Sequence, residues 1–66
     1  MYMSISYDSN YGIIAQIEHE TLASAMKELS MANILGTYQM EIWELDVFKK
    51  WHVIISVDNF LVDLHR

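Results

Sequence analysis

Thr21-Leu22-Ala23-Ser24-Ala25-Met26-Lys27-Glu28-Leu29-Ser30-Met31-Ala32-Asn33, residues 21–33, is the stretch on which the fold turns. To either side of it apolar residues recur at every second position; within it they recur at three and four. Leu22, Ala25, Met26, Leu29 and Ala32 form a stripe, with Ser24, Lys27 and Glu28 off it, as in an amphipathic helix. Thr21 supplies a hydroxyl for the N-cap, and Glu18 and Glu20 put negative charge near the positive helix end. Gly36 stands just beyond the pattern, where a left-handed C-terminal cap favours glycine.

Before the helix, Met3, Ile5 and Tyr7 alternate with Ser4 and Ser6, and Ile13, Ala15 and Ile17 alternate with Ile14, Gln16 and Glu18. Two such segments joined by the turn formers Asp8-Ser9-Asn10-Tyr11-Gly12 read as a hairpin. After it, Tyr38, Met40 and Ile42 alternate with Gln39, Glu41 and Trp43. An acidic-to-basic bend, Asp46-Val47-Phe48-Lys49-Lys50, leads to Trp51-His52-Val53-Ile54-Ile55-Ser56-Val57, the segment richest in β-branched and aromatic residues. Asp58-Asn59 reads as a tight turn, and Phe60-Leu61-Val62-Asp63-Leu64 as a fifth strand paired back on the fourth, with a short helix as the alternative. The expected fold is therefore α+β: one domain over residues 1–66, two layers, one helix on an antiparallel sheet of four or five strands, in the order β-β-α-β-β-β.

A chain of 66 residues without cysteine has neither disulfides nor thiolate metal sites to support a small core. Its 53% hydrophobic content exceeds what one small core consumes, so association is the expected outlet. No apolar run approaches the ~18 residues of a membrane helix. Met1-Tyr2-Met3-Ser4 has neither the basic nor the apolar region of a signal peptide. A cytoplasmic location and no membrane partner are expected. Nine carboxylates against four basic side chains give a net charge of −5, which disfavours direct nucleic-acid binding. Such a surface suits solubility or a basic partner.

Strict alternation divides the sheet into two faces. Met3, Ile5, Tyr7, Ile13, Ala15, Ile17, Met40, Ile42, Trp51, Val53, Ile55 and Val57, followed by Phe60, Val62 and Leu64, are expected to face the helix. The opposite set is Tyr2, Ser4, Ser6, Ile14, Gln16, Glu18, Gln39, Glu41, Trp43, Leu45, His52, Ile54, Ser56, Leu61, Asp63 and His65. A face turned to water should be polar, yet this one holds Tyr2, Ile14, Trp43, Leu45, Ile54 and Leu61. Scattered apolar residues are normal on a surface, and a bulge can swap a strand's faces. The alternative is one interface patch rimmed by Glu18, Glu41 and Asp63, with Glu44 and Asp46 beside it. Trp43 is its expected centre, since tryptophan is enriched at binding hot spots.

Catalytic chemistry finds little purchase. His19, His52 and His65 match no metal-ligand spacing. Glu41, Glu44 and Asp46 cluster at a strand end, but acid–base work needs a cleft that one sheet and one helix do not offer. Ser4, Ser6, Ser9, Ser24, Ser30 and Ser56 lie in no nucleophile motif, and two glycines make no phosphate loop. Tyr2, Tyr38, Trp43 and Trp51 lack the basic interleaving of single-strand binders. The expectation is a non-enzyme without metal or cofactor.

Residues 16–26, Gln16-Ile17-Glu18-His19-Glu20-Thr21-Leu22-Ala23-Ser24-Ala25-Met26, followed by Gly36-Thr37 and Met40-Glu41-Ile42, form a strand with an acidic end, a capped helix with an inward alanine, and a glycine leading back to a strand. This cadence resembles small phage-encoded inhibitor proteins, among them a type I-F anti-CRISPR protein and a phage inhibitor of host RNA polymerase. The resemblance covers the middle third of the chain and carries over no functional residue. The basic target-contacting residues of such inhibitors have no counterpart here. It implies a mobile-element protein that binds and blocks a host protein. Glu41, Glu44, Asp46, Asp58 and Asp63 would imitate phosphates if the target's surface is one that binds nucleic acid. The alternative expectation is a self-associating homodimeric domain with no further partner.

Overall fold

The computed structural model describes residues 1–31 and 37–57. Within them the order is β1 (Tyr2–Tyr7), β2 (Ile13–His19), α1 (Leu22–Ser30), β3 (Gln39–Leu45) and β4 (Trp51–Val57). All neighbouring strands are antiparallel and lie in the order β2-β1-β3-β4. The expected fifth strand over residues 60–64 lies outside the described residues.

Both hairpins close on the same loop. Asp8 N–H donates to the Gly12 carbonyl and Tyr11 N–H to the Asp8 carbonyl, each at 2.9 Å. Asp46 N–H donates to Lys50 at 2.9 Å and Lys49 N–H to Asp46 at 3.0 Å, in the same pattern. In each loop the aspartate Oδ1 also accepts two backbone N–H groups: Asn10 and Gly12 at 2.9 and 2.8 Å, Phe48 and Lys50 at 2.8 and 2.9 Å. The fourth residue of each is left-handed, Tyr11 at φ 62° and Lys49 at φ 63°. This is a three-residue hairpin loop whose last position usually holds glycine. Gly12 meets a different need, close approach, since a Cβ there would lie 3.0 Å from the Asp8 carboxylate.

The helix begins as its sequence dictates, with Thr21 in extended backbone and its Oγ1 accepting from Ser24 N–H at 3.2 Å. It ends at Ser30, with Met31 as C-cap, so residues 32–33 of the expected helix lie outside the described residues. Of the expected stripe, Ala25 is buried and Leu29 partly so, whereas Leu22 and Met26 stay exposed.

Register identifies the face that α1 covers. Ser4 pairs with Ile17 and Ile42, and Ser6 with Ala15 and Met40, so these side chains share one face. His19 lies on it too and is hydrogen-bonded to Ser24 of the helix. Ser4, Ser6, His19, Met40 and Ile42 are all buried there.

The expectation for β1 is thus overturned. Ser4 and Ser6, not Met3, Ile5 and Tyr7, face the helix, and Tyr2 lies on the helix side with them. Small serines let the backbone of α1 approach at Ala25, and a hydroxyl satisfies the buried imidazole. Two bulges correct further positions. Ile14 is the extra residue of β2 (Tyr7 opposite Ile13, Ser6 opposite Ala15), and Ile54 that of β4 (Trp43 opposite Val53, Ile42 opposite Ile55). Each inserted residue inverts the alternation beyond it. Ile13, Trp51 and Val53 therefore fall on the outer face, and His52 on the helix side opposite Glu44.

Candidate functional site

The outer face of the β3–β4 hairpin and its tip form an apolar region that is partly exposed. Trp43 pairs with Val53 and Leu45 with Trp51, one pair above the other on the outer face. Beyond Leu45 the chain enters the tip, where Val47 and Phe48 are 89% and 79% exposed. These side chains are not on a slack loop: Asp46 Oδ1 takes the N–H groups of Phe48 and Lys50, and its Oδ2 meets His52 Nε2 at 2.6 Å. The backbone donors, Lys50 first, and the His52 contact hold the Asp46 carboxyl below the usual range. Lys49 and Lys50 follow directly and set two cations beside the Asp46 carboxylate.

The predicted patch residues are dispersed by the fold. Trp43, Leu45 and Glu41 share the outer face. Trp43 is half-buried, with its indole Nε1 enclosed and without an acceptor among the described residues. Glu41 Oε1 accepts from the Tyr7 hydroxyl at 2.8 Å; burial, then this carboxylate, raises the Tyr7 pKa. Tyr2 and Glu44 pair on the helix side, and Glu44 adds to burial in raising the Tyr2 pKa. Ile14 and Ile54 are the exposed bulge residues of β2 and β4, the outermost strands among the described residues. Leu61, like His65, Asp58 and Asp63, lies outside the described residues. Glu41, Glu44 and Asp46 therefore point into three different settings and make no single acidic array.

Val47 and Phe48 are the residues that sequence reasoning passed over. Their signal is present in the chain: Asp46 opens a five-residue bend like Asp8, and two apolar residues sit at the positions that such a loop projects.

A second cluster, Ser4–His19–Ser24, has the residue types of a nucleophile and a base. His19 Nε2 lies 2.9 Å from Ser4 Oγ and Nδ1 2.9 Å from Ser24 Oγ. Ser4 and His19 are buried, and no cavity opens onto them among the described residues. The arrangement ties the first turn of α1 to β1 and β2. Among the described residues no three His, Asp or Glu side chains gather as metal ligands, and no helix is long and apolar enough to cross a membrane. No protein-family model, curated protein or solved structure matches the chain.

Proposed function

We propose that the chain is a non-catalytic protein-binding module that docks through the β3–β4 hairpin, with Val47 and Phe48 entering an apolar pocket on the partner. The carrying observation is that two large apolar side chains stand 89% and 79% exposed on a loop held by Asp46. Displaying them in water costs solvation, and fixing the loop beforehand removes an ordering cost that binding would otherwise meet. Trp43, Leu45, Trp51 and Val53 continue the surface along the outer face. Lys49 and Lys50 add complementarity to a pocket with an acidic rim. The narrower reading, a mobile-element protein that blocks a host protein, draws its support from the resemblance of residues 16–26, 36–37 and 40–42 to phage-encoded inhibitors.

The test compares wild type, Val47→Ser with Phe48→Ser, and Trp43→Ala as immobilised baits in a bacterial lysate. The tip variant unfolds as wild type does and loses captured protein; Trp43→Ala weakens capture less. The same captured proteins in the same amounts on all three baits would refute the assignment.

A further inference from the structure

We propose that His52 is a proton-operated clamp on the β3–β4 tip, ordering the loop that presents Val47 and Phe48 more firmly when its imidazole is charged. That docking tightens with it rests on the role given to the tip above; the clamp itself does not.

The two aspartate loops supply the comparison. They share their closure, the two backbone N–H groups on one aspartate Oδ1, and the left-handed fourth residue. They differ six positions after the aspartate, where the first has Ile14 and the second His52. The loop therefore closes without a histidine, and what His52 adds is a bond whose strength depends on a proton. Its Nε2 lies 2.6 Å from Asp46 Oδ2, while Oδ1 takes the loop amides. Holding Oδ2 fixes the carboxylate plane and so keeps Oδ1 facing the Phe48 and Lys50 N–H groups.

Protonation acts on this contact in two ways. Neutral imidazole carries its single N–H on either nitrogen, and only the Nε2–H form donates to a carboxylate at this place. The imidazolium carries both, so Nε2–H always faces Asp46 and the bond becomes charge-assisted. The added proton sits on Nδ1 and needs no rearrangement of the loop. Imidazole makes this change between about pH 5 and 8, where lysine and carboxylate side chains keep their charge.

The surrounding groups favour Asp46 as the partner. Glu44 stands opposite His52 across the strand pair, but it is engaged by the Tyr2 hydroxyl, whose pKa is raised by burial and then by that bond. Lys49 and Lys50 precede His52 on the loop side. Met1, whose carbonyl accepts from Leu45 N–H, brings an α-amino group to the same end of β3. The pair is open to solvent, with the His52 side chain 58% and Asp46 28% exposed, so the gain in loop order is about two- to fivefold.

Amide exchange of the full chain, followed by NMR and expressed as protection over the unstructured rate, reads the clamp directly. From about pH 8 to about pH 6, protection of the Phe48 and Lys50 N–H groups rises by this factor relative to Asn10 and Gly12 in the twin loop. His52→Gln, which keeps a side-chain donor and leaves the Met1 amine in place, abolishes the rise; Glu44→Gln keeps it. A flat ratio in wild type, an equal rise in His52→Gln, or a rise lost in Glu44→Gln overturns the clamp. Capture from bacterial lysate at both pH values reads the docking consequence: the wild-type bait gains captured protein at the lower pH and His52→Gln does not. A rise in protection without that difference overturns the control of docking and leaves the clamp standing. Equal capture by wild type and the Val47→Ser, Phe48→Ser variant refutes the role of the tip instead.

Discussion

Replacing Lys49 with glycine should stabilise the protein, although Lys49 makes the loop's cationic rim. Lys49 sits at φ 63°, where a Cβ crowds the following carbonyl and costs about 1–2 kcal/mol. Glycine has no such penalty but loses about 0.5–1 kcal/mol more backbone entropy on folding. The midpoints of the two ranges leave a net gain of about 0.75 kcal/mol. Lys49→Ala is the reference, since it removes the same charge and keeps the Cβ. For a domain of this size that gain corresponds to about 3–6 °C in Tm. Thermal and urea unfolding followed by circular dichroism would show Lys49→Gly above Lys49→Ala by this amount, with the urea slope unchanged. The Asp46 bonds to Phe48 and Lys50 N–H are retained in both variants, so the comparison isolates the dihedral angle. If the two variants melt together, or the glycine variant melts lower, the strain assigned to this position is absent. Tyr11 is a poorer site for the same experiment, because its ring packs edge-on against Tyr38 with centroids 5.9 Å apart.

Thr37→Val should raise the urea midpoint, since Thr37 is fully buried and its Oγ1 has no partner among the described residues; the near-isosteric exchange recovers about 1 kcal/mol. His19→Ala should lower stability by about 2–4 kcal/mol, combining two lost hydrogen bonds to serines with a cavity under α1, as urea unfolding would measure. Asp46 carries a pH dependence whose sign is fixed. Its folded pKa lies below the unfolded one, so its ionised form stabilises above the unfolded value, and that contribution disappears as pH falls through the folded value. Asp46→Asn should accordingly cost stability at pH 7 and little below the carboxylate range; an equal deficit at both, read by urea titration, would contradict the assignment.

The order of elements was legible because period, capping and turn residues agree along the chain. Thr21 caps where its hydroxyl predicts, and the hairpins close where Asp8 and Asp46 stand. Facing was less legible, for a reason local to β1. Alternation marks which residues differ in polarity, and the expected rule sends the apolar half inward. Here the buried His19 and the close approach of Ala25 call for small hydroxyl-bearing residues beneath the helix, so Ser4 and Ser6 take that side while Met3 and Ile5 are buried on the other. Gln16 donates its amide to Met3 Sδ at 3.2 Å there. Bulges at Ile14 and Ile54 carry no distinct sequence mark among other isoleucines, yet each changes the parity of the residues beyond it. Of the predicted patch, Trp43, Leu45 and Glu41 share a face because β3 alternates without interruption. Tyr2 and Glu44 do not, because a face is a property of register, which one strand's pattern does not contain. The tip is hard to see in the sequence because the change of charge from Asp46 to Lys50 masks the match of this segment to Asp8 through Gly12.

The duplicated aspartate loop also bears on how the chain reaches this structure. Each hairpin is closed by bonds spanning at most four residues, so β1–β2 and β3–β4 can each form on the microsecond scale without the other. The slow event is then the meeting of two ready hairpins along β1 and β3, with α1 as the tether between them. Substitutions that loosen either aspartate loop should slow folding, whereas those at the His19 contacts, made when the helix settles, should chiefly speed unfolding. On these rates the chain would assemble as a dimer of hairpins within one molecule.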